Sequence, residues 1–409
     1  MTERALLLVP HPALLSQRIG GLSVLERQLW TLHRAGLKRV WVGTAQPASF
    51  SALRLPPDLE VHWAGSDAGA QATCEPPYLA VSGDHFIRVE TLRYVTEASY
   101  PVAVALEDAA GVAVVQAVPA RADRADKTPR QPLPAGSTVT LTVPVAQGPA
   151  LPWLLALGVK PQDGFMARNF DRYISIAASR TLLDTAVTPN MMTVASSLIG
   201  LAGAACFLVP THAWRLGGAL LVWLHSVLDG CDGELARIRF QESPLGADID
   251  FWGDNVVHLA LFFCIAWGFY RADRDAWPLV AAVAASIGTL GSAIMNYRGR
   301  LARRRNPAAA AAAAARAHAA GVVPALSRIE NMLAARDFIY LLVLLAYLDR
   351  LYEFMWATAV GSLLFFFMSL YLGGKNSEQV HQPDPPREGQ TGGSAPGNGS
   401  GHQHVYSGR

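Results

Sequence analysis

Two rhythms of apolar residues divide the chain. Over residues 1–145 the apolar runs are short: Ala5–Val9, Arg39–Gly43, Leu59–Trp63, Tyr78–Val81 and Val102–Leu106 have the length and composition of strands. Leu22–Ala35 instead repeats its apolar positions at helical spacing and stops at Gly36, a residue suited to a helix C-terminus. Strands alternating with helices predict an α/β domain with a mostly parallel sheet. From residue 188 to about 373 the apolar stretches lengthen toward the roughly 20 residues that cross a bilayer. About six spans are expected there: roughly 190–209, 214–236, 246–269, 277–297, 336–349 and 353–373, the fifth being short.

The segments between these blocks have their own character. Residues 146–187 read as a linker followed by an amphipathic helix lying at the membrane interface, where Phe165, Phe170, Tyr173 and Ile174 alternate with Arg168, Arg172 and Arg180. Thr188-Pro189-Asn190 opens the first span: Thr188 is a capping residue and Pro189 is tolerated in a first helical turn. Ala308–Ala315 is a low-complexity linker, and residues 375–409, rich in Gly, Pro, Ser and Gln, are expected to be disordered. The division is therefore an α/β domain at 1–145, a linker and interfacial helix at 146–187, a transmembrane domain at 188–374 and a tail at 375–409.

Charge orients this arrangement. Arg298, Arg300, Arg303, Arg304, Arg305, Arg316, Arg328 and Arg336 crowd the segment 298–336, while the connections on the opposite side carry fewer. The excess of positive charge places 298–336 in the cytosol, together with both termini. The start MTERALLLV has neither a basic leader nor a cleavage site, which agrees with a cytosolic N-terminus in a plasma (inner) membrane protein. A net charge of +2, with 16% charged residues, argues against a nucleic-acid binder. Cys74, Cys206, Cys231 and Cys264 form no close pair, so neither a disulfide framework nor a thiolate metal site is expected.

One polar run interrupts the apolar half. Asp229, Asp232, Gly233, Ala236, Arg237, Gly246, Asp250 and Asp254 fall where a membrane surface would begin, and ionisable groups at that depth point to function. Asp229 and Asp232 are spaced i, i+3, and Asp250 and Asp254 i, i+4, so each pair shares a helix face. Antiparallel helices would bring the four carboxylates to one pocket, where divalent cations would relieve their repulsion. Oxygen ligands of this kind suit Mg²⁺ or Mn²⁺, and two such ions can hold a diphosphate during displacement at phosphorus. The small residues allow a ligand or a neighbouring helix to approach the backbone.

This run resembles the signature of the CDP-alcohol phosphotransferases, Asp-x2-Asp-Gly-x2-Ala-Arg-x8-Gly-x3-Asp-x3-Asp, at every fixed position. The resemblance implies that Asp229, Asp232, Asp250 and Asp254 bind metal and that Asp254 also deprotonates the attacking hydroxyl. It implies a CDP site made by Thr188, Pro189, Asn190, Gly233, Ala236, Arg237 and Gly246. Arg298, Arg300 and Arg336 resemble the family's basic positions near the acceptor phosphate, although the positive-inside pattern also accounts for them. Asp248 lies between motif positions and would face elsewhere. A homodimer is likewise implied by the family alone.

The α/β half resembles a sugar-nucleotidyltransferase. Gly20-Gly21-Leu22-Ser23 leads into a helix, and Val81-Ser82-Gly83-Asp84 is a strand ending in an Asp where such enzymes hold a metal. Pro10-His11-Pro12-Ala13 replaces the Gly-rich loop, and the Lys before the helix is missing, so this half is expected to have lost catalysis, with Asp84 a turn residue. The fusion resembles the bifunctional subfamily in which an inositol-phosphate cytidylyltransferase precedes the phosphotransferase. That draws attention to Lys160, Asp163, Arg168 and Arg172, which would contact either anionic lipid headgroups or substrate phosphate. The expected activity is transfer of a phospho-alcohol from CDP-diacylglycerol or a CDP-polyol to an acceptor hydroxyl, such as that of a polyol or inositol phosphate. Two other readings stay open: a nucleotide-sensing regulatory membrane protein, and an ion-coupled transporter, although no internal repeat supports the latter.

Overall fold

The computed structural model describes residues 2–46, 52–120, 128–145, 148–158, 166–309 and 338–381, with side chains to residue 371. The expected α/β region is present. Its strands are β1 (Arg4–Leu8), β2 (Arg18–Ile19), β3 (Leu22–Ser23), β4 (Arg39–Val42), β5 (Glu60–Trp63), β6 (Tyr78–Ser82), β7 (His85–Ile87), β8 (Val104–Glu107), β9 (Ala113–Val118), β10 (Arg130–Pro132) and β11 (Thr138–Thr140). Seven of them form one sheet in the order β10-β8-β9-β6-β1-β4-β5. The half from β5 to β6 is parallel, as the strand and helix alternation implies. The other half is mixed, because β9 runs antiparallel to both β6 and β8. Asp108 explains the reversal: its carboxylate accepts from Ala110 N and Val112 N, and Gly111 takes φ +77°, closing a β8–β9 hairpin.

The pleat sorts side chains to the two faces. Leu7, Val40, Val42, Leu79 and Val81 face α2 (Val24–Arg34) and α4 (Val89–Glu97), the larger core. Leu6, Tyr78 and Ala80 face α3 (Asp67–Thr73). The short α1 (Pro12–Leu15) follows β1. Helix α2 begins two residues later than its periodicity suggests, because Leu22–Ser23 pairs as β3 with β2. Ser23 then caps it: its Oγ accepts from Glu26 N and its own N–H donates to the Glu26 carboxylate.

Among the described residues of 146–187 are α5 (Ala150–Ala156) and α6 (Arg172–Leu182), the latter continuing a π-helical turn at Ala167–Asp171. Phe170, Tyr173 and Ile174 are exposed along it, while Asp171, Ser175 and Ser179 are buried. The helix is therefore amphipathic in three dimensions as well as in sequence.

Among the described residues the second half is built of helices: α7 (Pro189–Cys206), α8 (His212–Ile238), α9 (Pro244–Asp273), α10 (Trp277–Arg305), α11 (Phe338–Tyr347) and α12 (Leu351–His381). Among the described residues four of these, α7, α9, α10 and α12, are long and apolar enough to cross a membrane. The expected count of six is not confirmed on that measure. Helix α8 carries the acidic run in its last third, and α11 has only 10 described residues. Thr188 caps α7, accepting from Met191 N, with Pro189 in the first turn. Helices α7 and α8 touch backbone to backbone at Gly203 and Gly218, where an added Cβ would lie 2.9 and 2.7 Å from the facing carbonyl oxygen. Large apolar side chains, including Leu198, Phe263, Val283, Ile287, Leu364 and Phe367, point outward. Trp214, Trp277, Tyr347 and Trp356 gather near the helix ends remote from the acidic run, as in an interfacial aromatic belt.

Candidate active site

Short connections and capping bring the two acidic segments together. Helix α8 ends at Ile238, the turn Arg239–Ser243 follows, and Ser243 caps α9 by accepting from Gly246 N. Helix α7 packs against both α8 and α9. At the resulting cleft, carboxylate oxygens of Asp229, Asp250 and Asp254 lie within 4.8 Å of one another. Asp229 is 3% exposed and Asp250 and Asp254 are half-buried, and like charges this close repel unless a cation or shared protons intervene. An all-oxygen donor set at this spacing fits a hard divalent ion such as Mg²⁺ or Mn²⁺. Asp232 stands beside the trio rather than in it: Thr193 Oγ1 donates to its Oδ2. Asp248 turns away and pairs with Arg304 at 3.0 Å.

Two cavities adjoin the cluster and share Asp232, Gly233, Arg237 and Asp250. The first, about 210 Å³, is lined by Pro189, Asn190, Thr193, Ala236, Glu242 and Gly246 as well. It holds every residue that the family resemblance implies for the nucleotide except Thr188, which is occupied as the α7 cap. A side chain at Gly246 would come within 2.8 Å of Asn190 Oδ1, so the groove depends on its absence. The second, about 190 Å³, reaches Asp229 and, across from it, Arg172 and Ser175 of α6.

A third cavity, about 530 Å³, opens on the other side of Asp254 between α9, α10, α11 and α12. Phe251, Phe262, Phe338, Phe354 and Phe365 make it largely apolar, with Asn296 and Arg300 among its polar residues. Arg300 also lies over the Phe251 ring at 4.4 Å. Arg298 is exposed and is not among the residues lining this cavity. Arg168 is exposed on the turn before α6. Lys160, Asp163 and Arg336 lie outside the described residues.

Three partners of the acidic run carry no signal in the signature itself. Thr193 belongs to another helix. His225 is buried with Nε2 3.5 Å from Asp254 Oδ1; its position four residues before Asp229 is the only hint in the sequence. Glu234, at a variable position of the signature, is fully buried and receives Arg172 Nη1 at 2.6 Å and the hydroxyls of Ser175 and Ser179 at 2.7 Å each.

In the α/β half, Asp84 is engaged within its own fold. It accepts from Ser82 and from His85 Nδ1 at 2.7 Å, while His85 Nε2 faces Thr140 Oγ1 at 3.1 Å and Asp108 at 3.6 Å. The His85 hydrogen bond, opposed by burial, holds the Asp84 carboxyl down at about 2.

Known proteins resemble both the site and its surroundings. The bifunctional IPC transferase and DIPP synthase of Thermococcus kodakarensis is 34% identical over 188 residues, covering 45% of this chain and 38% of that protein. A phosphatidylinositol phosphate synthase of Mycobacterium tuberculosis is 30% identical over 135 residues, covering 32% of this chain and 59% of that one. The chain thus aligns with less than two thirds of the length of either relative. The crystal structure of the M. tuberculosis synthase with CDP-DAG bound superposes with a TM-score of 0.34 at 22% identity, over 49% of this chain and 94% of that one. Residues 186–368 match the family of CDP-alcohol phosphatidyltransferases.

Proposed function

We propose that the helical half is a CDP-alcohol phosphotransferase, moving a phospho-alcohol from a CDP-linked donor to an acceptor hydroxyl and releasing CMP. The observation that carries the reading is the convergence of Asp229, Asp250 and Asp254 within 4.8 Å beside a groove lined by the remaining signature residues. These carboxylates would hold one or two divalent ions, which when bound neutralise the diphosphate and the charge developing on it. The groove at Asn190, Ala236 and Gly246 receives the nucleotide, with Arg237 the nearest cation for its phosphates. Asp254 takes the proton from the acceptor hydroxyl, whose oxygen then bonds to the β-phosphorus. The bond from that phosphorus to the bridging oxygen breaks, and CMP leaves with the electron pair. Holding the reactants in line is the main contribution of the protein.

The apolar cavity next to Asp254 supports a lipid-linked reactant, CDP-diacylglycerol being the donor that fits it. Arg300 and Asn296 in its wall support a polyol phosphate, of the inositol-phosphate type, as acceptor. Helices α8 and α11 pack within the bundle, so a six-span domain at 188–374 with its site at the cytoplasmic surface of the plasma membrane is the arrangement we favour. Purified protein with Mg²⁺ or Mn²⁺, CDP-diacylglycerol and inositol phosphate should release CMP, and Asp254→Asn should lower that rate at least about a hundredfold. Acceptor-independent release, or full activity in Asp254→Asn, would overturn the reading.

A further inference from the structure

The α/β region is docked on the turn that joins the two halves of the signature. Arg27 Nη1 donates to Ile238 O at 2.7 Å, Arg54 Nη1 to Arg239 O at 2.7 Å, and Arg34 pairs with Glu242 at 3.2 Å. The Trp30 and Phe240 rings stack with centroids 6.0 Å apart. Beside this contact lies a cavity of about 550 Å³ that belongs to neither half alone.

Its charge is unbalanced. Arg27, Arg34, Arg88, Arg93 and Arg237 line it, against two carboxylates, Glu90 and Glu242. Arg27 is the most telling member. It is 2% exposed, its two terminal nitrogens are given to the carbonyls of Ile238, Ile19 and Gly20, and its buried Nε has no hydrogen-bond partner among the described residues. No carboxylate lies within ion-pair distance of it among the described residues, and burial, only partly offset by Glu26 farther off, pushes its guanidinium down to about 9. A cation desolvated to this degree calls for an anion. Arginine forks matched to a small cavity favour phosphate, which accepts several of their hydrogen bonds at once.

We propose that this interdomain cavity is a binding site for a small soluble phosphate monoester, separate from the carboxylate cluster. Arg237 and Glu242 line both this cavity and the nucleotide groove, so a ligand here sits one side chain away from the groove. A nucleoside monophosphate and a polyol phosphate share the required chemistry, and the probes distinguish them.

The test is calorimetric titration of the full chain in detergent with CMP and, separately, inositol 1-phosphate. Chelator is present throughout, so that divalent-dependent binding at the carboxylates is absent. Three variants accompany the wild type: Arg88→Gln, the exposed Arg93→Gln, and Asp250→Asn as the marker for the other site. The expected result is binding of one probe, about tenfold weaker in each arginine variant and unchanged in Asp250→Asn. The responding probe identifies the ligand class. Absence of binding by both probes at millimolar concentration, or binding that ignores the arginines, would overturn the proposal. A failure of CMP-release activity would bear only on the carboxylate site and leave this result standing.

Discussion

Glu234 is the residue on which the inner wall of the site rests. Its carboxylate is enclosed and receives three side-chain donors, so α6 is tied to the signature helix at Arg172, Ser175 and Ser179. Arg172→Ala removes the cation from a buried pair and should cost about 3–5 kcal/mol of stability, read as a lowered Tm in detergent. Glu234→Gln keeps the shape and should cost less. Asp84 gives a pH-dependent counterpart. Its folded carboxyl, near 2, lies below the roughly 3.9 of an unfolded Asp. Its contribution is therefore complete above about pH 4 and disappears as pH falls toward 2. Asp84→Asn should lower Tm at pH 7 by more than it does at pH 3, and an equal loss at both would remove the carboxylate from the account. The acidic signature was legible because its spacings place carboxylates on helix faces. Thr193, His225 and the Arg172–Glu234 pair were not, since each contact depends on how separate segments are brought together.

At the scale of elements, hydrophobic rhythm located the parts better than their partners. Strands β1, β4, β5, β6 and β8 and helices α2, α7, α9 and α10 fall close to where periodicity and end signals put them. Strand β9 is not among the expected strands, although Ala113–Val118 is strand-like and the Asp108–Gly111 turn precedes it; without that hairpin the sheet reads as more parallel than it is. The acidic end of α8 lowers its hydropathy, so composition alone does not separate a span from a helix ending in an acidic cluster. The α7–α8 contact is set by two glycines whose roles appear only once the helices touch. Gly203→Val would drive methyl groups into the Gly218 carbonyl, and overpacking of this kind costs about 1–3 kcal/mol. The expected result is a lower Tm and a smaller folded fraction by size-exclusion chromatography. Wild-type behaviour would show that the helices can part there at no cost.

At the scale of the molecule, the α/β region need not turn over substrate to matter. It lacks the Gly-rich loop of a nucleotidyltransferase, and its Asp84 is committed to His85 and Ser82, yet α2 and Arg54 grip the turn between α8 and α9. That turn sets how the end of α8 meets the start of α9, and Gln241, Glu242 and Ser243 within it line the groove proposed for the nucleotide. Arg54→Ala removes the donors to the Arg239 and Phe240 carbonyls and the contact over Trp30. It leaves Asp229, Asp250 and Asp254 untouched. Loosening the turn should therefore weaken donor binding more than the chemical step. A several-fold rise in KM for the CDP donor is expected, with kcat within about twofold and Mn²⁺ affinity unchanged. A fall in kcat at constant KM would instead mean that the turn aligns the reacting groups. Unchanged kinetics would make the docked α/β region a passenger of the transferase, with its arginine-lined cavity serving some other end.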